Sequence, residues 1–230
     1  MTRLSYLRLG RGAAAGLLLT MLGACGILDT AGDAQPSFYT LDGAPRASQA
    51  APPRPTAAPT LIVNPPHAAA GFDSHRIIYV REPHQLEYFA NSEWADTPAR
   101  MIAPLIVAAL EQSGAFRAVV PTPSTASGDL RLDVEIVRLQ QEFNDSPSRV
   151  RFTLRAYLVD TGSRQVLAWR EFDQSIAAAQ DNPYGGVMAA NGAVQKVLDQ
   201  LAAFSAEAAQ NWLATAKSGQ KTDVRPVTAN

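Results

Sequence analysis

The sequence predicts an α+β domain of two layers, a largely antiparallel sheet packed by two helices. Three observations predict it. Two long segments, Leu130–Ile136 and Val150–Leu158, alternate apolar and polar residues with the period of a half-buried strand. Two others, near Met101–Leu110 and Val187–Trp212, repeat apolar residues with helical spacing. Between them lie short β-rich runs punctuated by Pro, Gly and Asn. Amphipathic helices and a one-sided sheet bury their apolar faces against each other.

The first strand is Phe38-Tyr39-Thr40-Leu41, and its residue types favour a pleated surface. An excursion, residues 42–59, then carries prolines at 45, 52, 53, 55 and 59 among Ala, Ser and Thr. Such a segment favours extended conformations and builds no core. Thr60–Val63 and Ile77–Val80 are short apolar strands closed by Asn64-Pro65-Pro66 and Glu82-Pro83, and Leu86–Ala90 is a third.

Asp96 or Thr97 caps the first helix, with Pro98 at its first position, where a missing N–H costs nothing. Met101, Ile102, Leu105, Ile106, Ala109 and Leu110 form its stripe, and Gly114 stops it. Pro104 deletes a hydrogen bond and predicts a bend. Phe116–Val120 is a strand closed by Pro121. Residues 129 to 178 read as an antiparallel meander, turning at Asp160-Thr161-Gly162. The second helix runs from about Val187 to Thr215, with Val187, Val194, Val197, Leu198, Leu201, Phe204, Ala208 and Trp212 on one face. Trp169 and Trp212 are assigned to the core or its rim. Residues 217–230 are polar and unpatterned, a disordered tail.

The N-terminus has a different organisation. Arg3, Arg8 and Arg11 precede an apolar run, Ala13–Leu22, of about ten residues, too short to span a bilayer. Leu22-Gly23-Ala24-Cys25 closes it with the only cysteine in the 230 residues. This pattern resembles the bacterial lipobox. The resemblance implies a signal peptide over residues 1–24 and a diacylglyceryl group on the Cys25 thiol. It also implies an N-acyl group on the Cys25 amine after cleavage. Gly26, not Asp, follows the cysteine, which by the same resemblance favours the outer membrane of a Gram-negative envelope. Residues 25–35 form a tether, and residues 36–216 the folded domain.

Removing Arg3, Arg8 and Arg11 from the 20 basic residues leaves 17 against 21 acidic, a net charge near −4. With no basic block, nucleic acid is not an expected partner. With Cys25 lipidated, no thiol remains for a disulfide, a nucleophile or a metal. His67, His75 and His84 lack helical ligand spacing, and no nucleophile–base or phosphate-loop motif is present. No catalytic residue, cofactor or metal site is predicted. Asp129, Asp133 and Glu135 read as the wet face of a strand. Tyr88 and Trp94 flank the step from strand to first helix. They either pack at the helix–sheet junction or present a partner-binding patch, since both are residues favoured in interfaces.

These residues together resemble the ABC-type transport auxiliary lipoproteins, the PqiC-like component of MCE-type lipid transport systems. The likeness runs from the lipobox through Phe38–Leu41, Arg76–Tyr79, Tyr88 and Trp94 before Pro98. It continues through Leu110–Phe116 and Leu158–Asp160 to the final helix with Trp212. Pro104 and the proline-rich excursion depart from it. The resemblance implies a non-catalytic lipoprotein of a Pqi- or Mla-like system on the periplasmic face of the outer membrane. There it docks the mammalian-cell-entry (MCE) domain protein that works with an inner-membrane ATPase and permease. It also allows a homo-oligomeric ring. The alternative is an envelope assembly lipoprotein supporting an outer-membrane barrel or secretin-like complex.

Overall fold

The computed structural model describes residues 35–42 and 56–221, with side chains to Ala216 in the last helix. The expected signal peptide, Cys25, nearly all of the tether, most of the proline-rich excursion and the last nine residues lie outside them. The compact unit begins at Pro36.

Strand β7 (Leu130–Glu142) is the spine of a nine-stranded mixed sheet. One edge carries the expected meander: β8 (Arg149–Asp160) and then β9 (Val166–Ala177), both antiparallel. The other edge receives three short strands end to end, all parallel to it. These are β2 (Thr60–Val63), β3 (His67–Ala68) and β4 (Arg76–Val80). Beyond β2 lies β6 (Ala118–Pro121), again parallel. Beyond β4 lie antiparallel β5 (Glu87–Trp94) and then parallel β1 (Ser37–Tyr39). The sheet is therefore more mixed than the meander alone predicted, because β2, β3, β4 and β6 run the same way as β7 whereas β5 and β1 run against it.

Pairing between β7 and β8 slips by one residue between Ile136 and Arg138. The extra residue, Val137, reverses the alternation, as a bulge must. Leu130, Leu132, Val134 and Ile136 are buried before it, and Leu139 and Gln141 after it. Leucines of β7 and β8 thus stay on one face despite the changed parity.

Helix α1 (Pro98–Gln112) runs through Pro104, whose ring is exposed. The carbonyl of Arg100, which loses its partner N–H, belongs to an exposed residue that water reaches. Ile102, Ile106, Ala109 and Leu110 form the buried stripe. Helix α2 (Pro183–Lys221) starts earlier and ends later than the sequence suggested. Its stripe from Val187 to Ala208 is buried against β7, β8 and β9, and α1 packs on β3, β6 and α2. Both helices cover one face of the sheet. Gly186 lets the start of α2 close on β7, since a Cβ there would sit 2.1 Å from Gln141 Oε1.

Candidate functional site

Among the described residues no helix is long and apolar enough to cross a membrane, and no three His, Cys, Asp or Glu side chains converge as a metal site. His67 lies in β3 and His84 in a turn with φ of 69°. His75 Nδ1 lies 3.3 Å from the Trp94 carbonyl oxygen. The carboxylates singled out in the sequence have structural partners. Asp129 accepts from the Thr60 amide at 2.8 Å. Asp133 accepts from Asn64 at 2.7 Å and pairs with Arg131 at 2.9 Å.

The outer face of β7, β8 and β9 is a ladder of charges. Arg155 spans Glu135 and Glu171, and Arg151 pairs with Asp173 at 2.8 Å. The Arg151 hydrogen bond holds the Asp173 carboxyl below its ordinary range. Burial opposes this and Thr153, which donates at 2.6 Å, assists it. Trp169 stands on this face, 62% exposed, stacked on Tyr157 with ring centroids 6.4 Å apart. Its expected place in the core or at its rim is incorrect, because its register opposite Tyr157 turns it to the outer face.

Tyr88 and Trp94 both belong to β5 and share sequence parity, yet the structure separates them. Between the pairs Arg76↔Glu93 and Ile78↔Tyr88, a longer stretch of β5 faces a shorter one of β4. That irregularity reverses which side chains point inward. Trp94 is 3% exposed and belongs to the core, so its ring is not part of a partner-facing surface. Tyr88 is 50% exposed, with the Arg76 guanidinium 4.0 Å above its ring. Registers across β1, β5 and β4 put Phe38, Glu93 and Arg76 in one row on the outer face. Phe38 is 64% exposed and Leu86, beside Tyr88, 49%. An open cleft of about 380 Å³ adjoins them, lined also by Gly71, Asp73 and Ser74.

This corner is braced from behind. The Tyr79 ring packs 4.6 Å from Phe89 and 5.7 Å from Phe143. Its hydroxyl donates to Glu87 at 3.0 Å, and Arg81 also pairs with Glu87. The Arg81 hydrogen bond holds Glu87 below the usual carboxylate range, while burial and then Glu87 push the Tyr79 hydroxyl upward. The aromatic corner is therefore a fixed surface rather than a loop.

A second concavity, about 660 Å³, lies between β9 and the C-terminal half of α2. Leu167, Ala168, Phe204, Ala208 and Trp212 supply apolar walls, and Asp160 also lines it. Burial raises the Asp160 pKa. Hydrogen bonds from Ser163, Gly162 and Trp212 outweigh it and leave the carboxyl below its ordinary value. Sequence reading missed this groove because its walls come from segments that only the packed helix brings together; Trp212 was the one visible signal.

The sequence profile for the ABC-type transport auxiliary lipoprotein component matches residues 39–202. Among solved structures, a Xanthomonas campestris protein of family DUF330 aligns with a TM-score of 0.65 and 23% identity, over 77% of this chain and 98% of its own. An uncharacterised protein gives 0.56 and 16%, over 73% and 97%. A PelC dodecamer from Paraburkholderia phytofirmans gives 0.39 and 11%, over 65% and 91%, too distant a likeness to carry its assembly across. No curated protein matches the sequence.

Proposed function

Because the chain belongs to the family of ABC-type transport auxiliary lipoprotein components, we propose that it is a non-catalytic docking element of an MCE-type intermembrane lipid transport system. Lipid on Cys25 holds it to the periplasmic face of the outer membrane. One acyl chain anchors marginally and two or more hold stably, so a triacylated cysteine needs no transmembrane helix. The folded domain then meets the MCE-domain partner.

The observation that carries this reading is the braced outer corner of β1, β4 and β5. Phe38 and Tyr88 on fixed strands, with Leu86 just ahead of β5, expose apolar area, and Arg76 adds charge beside it. Rigid aromatic anchors of this kind offer contact at low entropic cost. Trp94 serves from the inside, fixing β5 so that Tyr88 faces out.

The test is site-specific photocrosslinking in native membranes. A photoreactive residue at Tyr88 or Phe38 is expected to capture the MCE protein, and one at Glu171, on the charged face, to capture much less. Capture from Glu171 alone, or of an outer-membrane barrel in place of the MCE protein, overturns the reading.

A further inference from the structure

We infer that the groove between β9 and α2 is a binding site for an extended, proline-containing peptide segment, and that its occupant is the chain's own Thr222–Asn230. The groove has the character of sites that take such segments. Phe204 and Trp212 line it with Leu167 and Ala208, and aromatic-lined grooves receive extended proline-containing chains with little loss of entropy. Its lining carries three charges without an ion-pair partner among the described residues, Arg170, Glu207 and Asp160, of which Asp160 is held by hydrogen bonds from Gly162 and Ser163. The Arg170 guanidinium rests 4.9 Å over the Phe204 ring and remains available to a carboxylate.

The segment that follows α2 matches these features. It reads Thr-Asp-Val-Arg-Pro-Val-Thr-Ala-Asn. Pro226 fixes its own backbone and holds Arg225 away from helix. In an extended chain with three residues per turn, Val224 and Val227 share one face. Asp223 and Arg225 complement Arg170 and Glu207. The reach is sufficient. Lys221 lies about 20 Å along the helix from Ala208 at 1.5 Å per residue. Nine extended residues span about 30 Å, enough for a reversal and the return. The segment then lies along β9, whose outer edge has no partner strand among the described residues, and screens it from stray pairing.

The experiment uses the full chain carrying Trp169→Phe, so that acrylamide quenching reports Trp212 against the buried Trp94. Ending that chain at Lys221 is expected to raise Trp212 quenching several-fold. The synthetic peptide Thr222–Asn230 is expected to reverse the rise saturably. In the full chain, Glu207→Lys is expected to raise quenching as truncation does, and adding Arg225→Glu to restore protection. Circular dichroism confirms that each variant is folded. Quenching indifferent to truncation, or a charge swap that restores nothing, overturns the inference. So does protection that grows with protein concentration, which assigns the groove to a second copy's segment.

Discussion

Trp94 and Tyr88 show how residue type and residue role part company. Their identities flagged an interesting corner, but only the strand irregularity beside Ile78 decides which ring is inside, and nothing in the local sequence announces it. The two truncations therefore have opposite signatures. Trp94→Ala is expected to cost about 3–5 kcal/mol, as for other buried large aromatics. Tyr88→Ala gives up an exposed cation–π contact worth about 0.5–1 kcal/mol. Urea denaturation of the two variants checks this, and equal losses would contradict the assignment. Asp173 makes a pH prediction. Its folded pKa is depressed, chiefly by Arg151. The stability it contributes is fully present above the ordinary carboxylate pKa of about 4 and is lost as pH falls from there through the depressed folded value. Asp173→Asn is expected to narrow the gap in denaturation midpoint between neutral and acid solution.

At the scale of elements, what was legible is what is local. The alternation of Leu130–Ile136 and Val150–Leu158, the Asp160–Gly162 turn and both helical stripes depend on neighbours within a few residues. The sequence exposes them directly. The parallel pairings of β2, β3 and β4 on β7 join residues such as Leu61 and Leu130 across an intervening helix, so no local pattern encodes them. The change of phase at Val137 is hidden for a related reason: a bulge is visible only against its partner strand. The groove beside β9 likewise exists only once α2 lies down. Pro104 interrupts the local pattern, yet α1 continues through it as the apolar stripe predicts, with its ring exposed. Pro104→Ala restores an N–H donor at a solvent-facing position. It is expected to raise stability by about 1–3 kcal/mol, within the propensity difference between the two residues. An unchanged or lowered melting temperature would show that the proline is needed where it stands.

At the scale of the whole molecule, the proposed lipid on Cys25 and the proposed docking corner divide the labour between anchor and contact. Cys25→Ser is expected to release the domain from membranes or leave it unprocessed, and membrane fractionation reads the outcome. The chain from Pro36 to Ala216 is expected to unfold cooperatively without lipid and to ignore chelator and reductant, since no cysteine follows position 25. Its sheet also sets an order of events in time. Synthesis delivers the N-terminal strands first, yet the edges of β2, β3 and β4 that pair with β7 stay open until β7 has emerged, even where β6 and β5 already cover the opposite edges of β2 and β4. The β7–β8–β9 hairpins close over short loops, whereas the parallel strands must close long ones at greater entropic cost. Folding is therefore expected to start in the long β7–β8–β9 hairpins, which hold the most extensive local pairing, and to add the parallel strands afterwards. Substitutions in the β7–β8 hairpin, such as Leu154→Ala, are expected to slow refolding. Those in β2, such as Leu61→Ala, are expected mainly to speed unfolding. Until β7 arrives, Leu61–Val63 and Ile77–Val80 each keep one unpaired, apolar edge, and aggregation of the partly made chain is expected to be concentrated there.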